Sequence, residues 1–398
     1  MKGLRKYISP FTPDQSGAVS VLFGYGGMLI IMDAGGCVGN VCGYDEPRWG
    51  KAKSAIFSAG LRDLDAILGR DELLIRKIRQ ALGDMDANFV GLIGTPVPAT
   101  IATDYRALKR LMEKDYEIPV LPVDTNGIEL YDRGQEKAYR WLFREFLEEP
   151  EELAKTQAHE TSAANNLDNT LDKNKFIGVL GATPLDCTAI DGGDEFRRLV
   201  PEHYGMPAVV YGMRDTLEDV ARASMASRNL VVSPSGLQTA RMLEEDYGIP
   251  YDIGYPVDTE MKNEWLCRIE AVLKSGETSE NVTGETTRIL IIHQQVFANE
   301  IRNWLHERLP ELEINASSWF RMDAELMEAG DFSLNEEDDL LQKANENQYD
   351  IVIGDPLLKR ALPHWKGTYL TLPHFPISGE LHSSATSAEY WHKAGERI

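Results

Sequence analysis

The chain lacks most of the short motifs by which an enzyme is usually read. It has no G-x-x-x-x-G-K-[ST] phosphate loop, so ATP hydrolysis through a P-loop is excluded for this chain, and it has no H-E-x-x-H, C-x-x-C or G-x-S-x-G. The glycines Gly24, Gly26 and Gly27 precede an apolar run instead of following one, so they form no dinucleotide fingerprint. No apolar run approaches the roughly 20 residues of a membrane span. Met1–Tyr7 leads into a polar, proline-containing stretch, where a secretory signal would show an apolar segment. Positive charge is short as well: Lys+Arg 41 against Asp+Glu 63 gives a formal net charge of −22. Nucleic acid and anionic membrane surfaces attract basic proteins, so neither is expected as a partner. Cysteine is scarce too, with Cys37, Cys42, Cys187 and Cys267 the full set. These features imply a cytoplasmic protein with reduced thiols. In that compartment a close cysteine pair argues for metal or redox chemistry more than for a disulfide.

What is present is an alternating α/β pattern. At 398 residues the chain exceeds one compact core, and two or three domains fit its length. Apolar runs of strand length recur, each closed by a turn: Met28–Met32 before Asp33-Ala34-Gly35-Gly36-Cys37, Asn88–Ile93 before Gly94-Thr95-Pro96, and Phe176–Leu180 before Gly181-Ala182-Thr183-Pro184. Further runs are Ile118–Val123, Ala208–Tyr211, Leu230–Ser233, Arg288–Ile292 and Asp350–Ile353. Helical spacing is expected over Gly17–Phe23, Ile101–Met112, Leu217–Ala226, Gly236–Tyr247 and Ala298–Leu309. The polar stretches within 145–175 and 275–287 mark boundaries. The expected organisation is three Rossmann-like units with mainly parallel sheets: 1–150, a linker at 151–174, 175–280 and 281–398. In such sheets ligands bind beyond the carboxyl ends of the strands. The loops 33–43, 94–100, 181–191, 233–236 and 354–355 are therefore the places to look for chemistry.

The loop Gly35-Gly36-Cys37-Val38-Gly39-Asn40-Val41-Cys42-Gly43 is the most informative feature. Two thiols five positions apart can converge on one metal centre if the loop between them is flexible. Glycines such as Gly36 and Gly39 let the backbone approach closely and offer N–H groups to cluster sulfides. Thiolate is a soft ligand suited to iron–sulfur clusters or zinc. The alternative is a tight loop with one buried and one incidental cysteine. Cys187, just past a strand end, either lines a cavity between domains or is a plain loop cysteine. Cys267 lies in a helical pattern and reads as a core residue. The eight histidines form no spaced cluster, and His374 and His382 read as structural or surface residues of a late loop. Whether Asp33, Asp186 or His374 moves protons depends on burial.

Taken in order, these segments resemble the nitrogenase component 1 family, which includes the molybdenum–iron protein subunits, the dark-operative protochlorophyllide reductase subunits and the nickel-sirohydrochlorin reductive cyclase subunit. The resemblance is carried by Gly17-Ala18, the strand Met28–Met32 with Gly36-Cys37, Asp63–Gly69, Gly94–Pro98, Gly127–Gly134, Asn229-Leu230 through Glu244–Tyr251, and Asp350–Asp355. It covers nearly the whole chain. It implies three Rossmann-like domains, a homodimer or a paired heterodimer, an iron–sulfur cluster at the subunit interface, and a separate ATP-hydrolysing iron protein as electron donor.

The departures from the family pattern restrict what the resemblance implies. The family often carries His-Gly-Pro-x-Gly-Cys where this chain has Asp33-Ala34-Gly35-Gly36-Cys37, so Cys37 matches a cluster ligand. A second family cysteine falls near Pro13 and Asp14, where Asp14 is the candidate oxygen ligand. A third falls at Pro96. The cysteine holding the nitrogenase cofactor falls near Ser233, which argues against dinitrogen as substrate. Cys37 and Cys42 from two chains would supply four thiolates, enough for one [4Fe–4S] cluster, with Cys187 as a further candidate ligand. The expected function is a nitrogenase-like reductase subunit acting on an unknown small molecule. The alternatives are a cluster-carrying scaffold, a subunit supporting a paired partner chain and, more remotely, a solute-binding protein.

Overall fold

The structure, a computed structural model, describes residues 5–49, 54–62, 71–151, 153, 175–187, 191–275 and 287–379. The stretch Asp63–Gly69, the expected linker at 151–174 apart from its first residues, and His382 lie outside them. The described strands form three separate parallel sheets. The first has the order β2 (Ala55–Ser58), β1 (Met28–Ile31), β3 (Val90–Ile93), β4 (Val120–Val123). The second has the order β6 (Ala208–Val210), β5 (Ile177–Leu180), β7 (Arg228–Val231), β8 (Tyr251–Ile253). The third has the order β11 (Phe332–Ser333), β10 (Glu313–Ser318), β9 (Arg288–Ile292), β12 (Ile351–Gly354), β13 (Thr368–Thr371). The α/β class and the three Rossmann-like units are as the alternation predicts. Strands β1, β3, β4 and β5 are buried at every residue, as strands covered on both faces must be.

Each sheet reverses its winding between its first strand and a later neighbour: β1 beside β3, β5 beside β7, β9 beside β12. Where winding reverses, the connections leave to opposite faces and a crevice opens at the carboxyl ends. The loops read from the sequence as candidate sites lie at these points. Asp33–Cys37 and Thr95 flank the first, Thr183–Cys187 and Ser233 the second, and His293 and Asp355 the third.

Local physics shifts several helix bounds. The single helix expected over Ile101–Met112 is two, Pro96–Thr100 and Tyr105–Tyr116. Ala102 takes a positive φ of 53° between them, and the Asp104 carboxylate caps the second by accepting from Arg106 N and Ala107 N at 3.0 Å each. The helix expected over Leu217–Ala226 tightens to 3-10 geometry at Arg222. The first helix starts earlier than its spacing suggests, running Asp14–Leu22 with all nine residues buried.

That helix crosses the helix Tyr131–Phe146, which the sequence pattern did not single out. The crossing is closer than side chains allow. A Cβ on Gly17 would lie 1.8 Å from the Tyr131 carbonyl oxygen, and one on Gly134 would lie 1.7 Å from the Asp14 carbonyl oxygen. One apolar core runs from the first sheet through Ala138, Tyr139, Leu142 and Phe143 of this second helix into the second sheet. Tyr131, at the start of the same helix, joins Ile8, Phe11 and Leu185 in the core beneath the third. Among the described residues no helix is long and apolar enough to cross a membrane. Gly17→Ala or Gly134→Ala must push two backbones apart. Either change is expected to lower stability by about 1–3 kcal/mol or more, read as a fall in the chemical-denaturation midpoint.

Candidate functional site

The cysteine loop is anchored by one buried acid. Asp33 follows β1; its Oδ1 accepts from the Ser58 hydroxyl at 2.5 Å and its Oδ2 from Val38 N at 2.9 Å. This ties the short helix Gly36–Asn40, which carries Cys37, to the ends of β1 and β2. Gly35 enters that helix at φ 111°, a conformation that favours glycine. Thr95, at the end of β3, donates its hydroxyl to Met32 O at 2.7 Å and also hydrogen-bonds the Cys37 thiol. Cys42 follows within Val41–Asp45. Both cysteines are half-buried and free of disulfides.

Burial, and then the Asp33 carboxylate, push the Cys37 thiol up, with Thr95 pulling the other way. Burial and Glu46 push the Cys42 thiol up. The surroundings therefore favour thiols, and a metal taking these ligands must displace their protons. Among the described residues the space beside them is open: a Cβ on Gly36, Gly39 or Gly43 would meet nothing within 4 Å. Apolar side chains lie exposed at this carboxyl end of the first sheet, with Tyr44 78% and Ile128 81% accessible and Ile101, Phe57 and Trp49 partly so.

The other expected ligands are placed elsewhere. Asp14 is fully buried, and its two oxygens accept from Asn126 N at 2.8 Å and Gly127 N at 2.7 Å. Its carboxylate thus holds the loop after β4. Cys187 ends the short helix Pro184–Cys187 after β5 and hydrogen-bonds Tyr255. Burial, then Asp186 and Glu195, push its thiol well up. Among the described residues no three His, Cys, Asp or Glu side chains converge to hold a metal, so neither Asp14 nor Cys187 joins Cys37 and Cys42. Cys267, expected in the core, is exposed.

Where the three sheets face one another lies a buried polar network that sequence reasoning reached only through Asp186 and His374. Asp186 Oδ2 accepts from Gln135 Nε2 at 2.8 Å and from the Thr183 hydroxyl at 2.9 Å, and Oδ1 accepts from the Tyr131 hydroxyl at 3.1 Å. Since Tyr131 gives its proton to Asp186, its oxygen accepts from His374 Nε2, 3.2 Å away. His374 stacks on His293 with ring centroids 4.0 Å apart, and its backbone N–H donates to Asp355 Oδ2 at 2.9 Å. Burial pushes Asp186 up to about 7, against the pull of its three donors. Burial pushes His293 down to about 3 and, with His293 beside it, holds His374 well below its usual range, so both imidazoles are neutral. Among the described residues their Nδ1 atoms have no partner.

A sequence profile of the family described as nitrogenase component 1 type oxidoreductase matches residues 14–302. The chain belongs to that family. Family members typically bind metal–sulfur clusters and work as paired subunits with an iron protein. Among curated relatives, the chain is 23% identical over 237 residues to the nitrogenase iron-molybdenum cofactor biosynthesis protein NifE of Bradyrhizobium diazoefficiens. That match covers 59% of this chain and 39% of the relative, so the chain spans well under two thirds of the relative's length. The fold is similar to the solved structure of nitrogenase Cp1 at pH 6.5, with a TM-score of 0.65 and 11% identity, covering 100% of this chain and 93% of the other. It is also similar to nitrogenase Cp1 at pH 5, with a TM-score of 0.62 and 16% identity, covering 100% and 89%.

The family resemblance places the cofactor cysteine of nitrogenase near Ser233, and this chain does not fit that group there. The Ser233 hydroxyl is spent on Gly181 O at 2.8 Å and on Ser235 Oγ at 2.8 Å, and Ser233 is 1% accessible. The space between the sheets is taken up by Tyr131, His374, His293 and Phe320 in ring contact. Tyr131→Phe removes the donor to Asp186 and leaves His374 Nε2 without an acceptor. It is expected to cost about 1–3 kcal/mol, measured by equilibrium urea unfolding against wild type.

Proposed function

We propose that this chain is the cluster-bearing subunit of a nitrogenase-like reductase, with Cys37 and Cys42 holding part of an iron–sulfur cluster, [4Fe–4S] by ligand count, on a face shared with a second chain. The observation that carries the reading is the pair of half-buried thiols beside open glycine positions on an exposed, partly apolar edge of the first sheet. Two thiolates fall short of the four such a cluster takes, so a second copy or a related chain completes the site. When bound, the cluster supplies one-electron transfer at low potential. The chain's own residues fix the cluster's surroundings. Asp33 locks the loop to β1, Thr95 shares a hydrogen bond with Cys37, and Gly36 and Gly39 leave room beside the thiols.

With no P-loop of its own, the chain takes electrons from a separate ATP-hydrolysing iron protein. The substrate class is a small unsaturated molecule other than dinitrogen, since the position for the nitrogenase cofactor is closed. Reduced thiols and an oxygen-labile cluster belong in the cytoplasm. A second reading, a non-catalytic scaffold on which a metal cluster is carried or assembled, is favoured by the name of the NifE relative and by the closed junction. Transfer of the cluster to an acceptor protein without turnover would select it.

Iron and acid-labile sulfide in anaerobically purified protein test the proposal. About four irons per dimer are expected, falling to background in a Cys37→Ala, Cys42→Ala double variant. Full iron content in the double variant would sink the assignment. Because burial holds both thiols up, cluster uptake competes with protons. Reconstitution is therefore expected to improve steadily as pH rises from about 7 to 9, followed by the growth of visible absorbance.

A further inference from the structure

The seam between the first and second sheets is closed by three tyrosines. Tyr131 reaches Asp186, as described. Tyr139 donates to Tyr211 O at 2.9 Å and also lies 3.2 Å from Ala182 O. Tyr25, just before β1, donates a short hydrogen bond to Asp215 Oδ2, in the loop after β6. Gly212 N completes this last pair, donating to the Tyr25 oxygen at 2.9 Å and to Asp215 Oδ1 at 2.9 Å. Gly212 sits at φ +93°, and its carbonyl accepts from Arg48 Nη1 at 2.8 Å. Arg48 also donates to Ser20 O at 2.6 Å and is paired with Glu46 at 2.7 and 2.8 Å. Arg48 lies on the same short segment as Cys42. One glycine of the loop after β6 is thus gripped from both sides by residues that flank the cysteine loop in sequence.

We propose that Tyr25 and Asp215 form a proton-controlled latch across this seam, closed more tightly when the pair holds an extra proton and weakened when it gives that proton up. Asp215 is 7% accessible. The groups facing it are the Tyr25, Tyr139 and Tyr211 rings and the Asp219 carboxylate. Arg222 is ion-paired with Asp219, and Arg48 reaches the Gly212 carbonyl with its charge matched by Glu46. Among the described residues no cation therefore pairs with the Asp215 carboxylate, while a like charge stands beside it. Burial is the largest effect and, with Asp219, pushes Asp215 up to about 7; the Tyr25 and backbone hydrogen bonds pull the other way.

The sign follows from linkage. An opened, hydrated Asp215 has an ordinary value of 3.8, and the closed latch holds it near 7. The closed form binds the proton more tightly, so the extra closure is fully present below the lower value. It is lost as pH rises from about 4 to about 7 and is constant above that. Because Gly212 is shared with Arg48, the loosening reaches the segment that carries Cys42. The latch is independent of any cluster and is tested on the full chain without one.

The reporter is the Gly212 amide, with the Met32 amide, which donates to Ile93 O inside the first sheet, as an internal control. Hydrogen exchange, corrected for intrinsic rates, should show Gly212 protection falling about tenfold per unit from pH 5 towards 7, then levelling, with a smaller change at Met32. Asp215→Asn should flatten the Gly212 profile. Tyr25→Phe removes a bond that favours the ionised acid, so its profile should level at a higher pH than wild type. A flat wild-type profile overturns the latch. So does a wild-type-like fall in Asp215→Asn or, should that variant not fold, an unshifted levelling point in Tyr25→Phe.

Discussion

The buried junction between the sheets depends on one crossing of two helices without side chains between them. Gly17 rests on the Tyr131 carbonyl and Gly134 on the Asp14 carbonyl, at distances that exclude even a methyl group. The contact sets the helix Tyr131–Phe146 deep enough for Tyr131 to reach Asp186 and His374, and for Tyr139 to reach the loops after β5 and β6. It also fixes Asp14, whose carboxylate then closes the loop after β4. A helix held this closely at its start packs on both neighbouring sheets along its length.

The three switch points have diverged in use. The first faces outward and is left open around two thiols. The second and third face each other and are filled by hydrogen-bonded polar side chains with aromatic rings around them. Unpaired buried polar groups are costly, so the Tyr131–Asp186–His374 network is stable only because nearly every donor and acceptor in it is used. Among the described residues the orphan atoms of this network are the Nδ1 atoms of His293 and His374 and the Gln135 Oε1. A chamber for a large metal cofactor would have to displace this network. That is why the proposed cluster chemistry sits at the outer face of the first sheet.

Much of this was legible in the sequence. The buried strands show as unbroken apolar runs, and the loops at their carboxyl ends contain Cys37, Thr95, Asp186 and Ser233. What was not legible has physical causes. The helix Tyr131–Phe146 mixes charged and aromatic residues because it is buried along one face between two sheets, and its opening glycine read as loop. Strands β10 and β13 carry serine, threonine and asparagine, so their burial did not show as an apolar run. Asp14 matched a ligand position by order along the chain, but order does not reveal that backbone amides would claim both oxygens. His293 is an isolated histidine after a strand, and only the fold brings it against His374.

The central claim is that the thiols of this chain are half of a site completed by another chain. Native mass spectrometry of the anaerobically reconstituted protein tests it most directly. The account predicts two chains carrying one four-iron cluster, separating into cluster-free single chains when Cys37 and Cys42 are replaced. A cluster retained on a single chain, or a paired complex that keeps its cluster without those two cysteines, would contradict it.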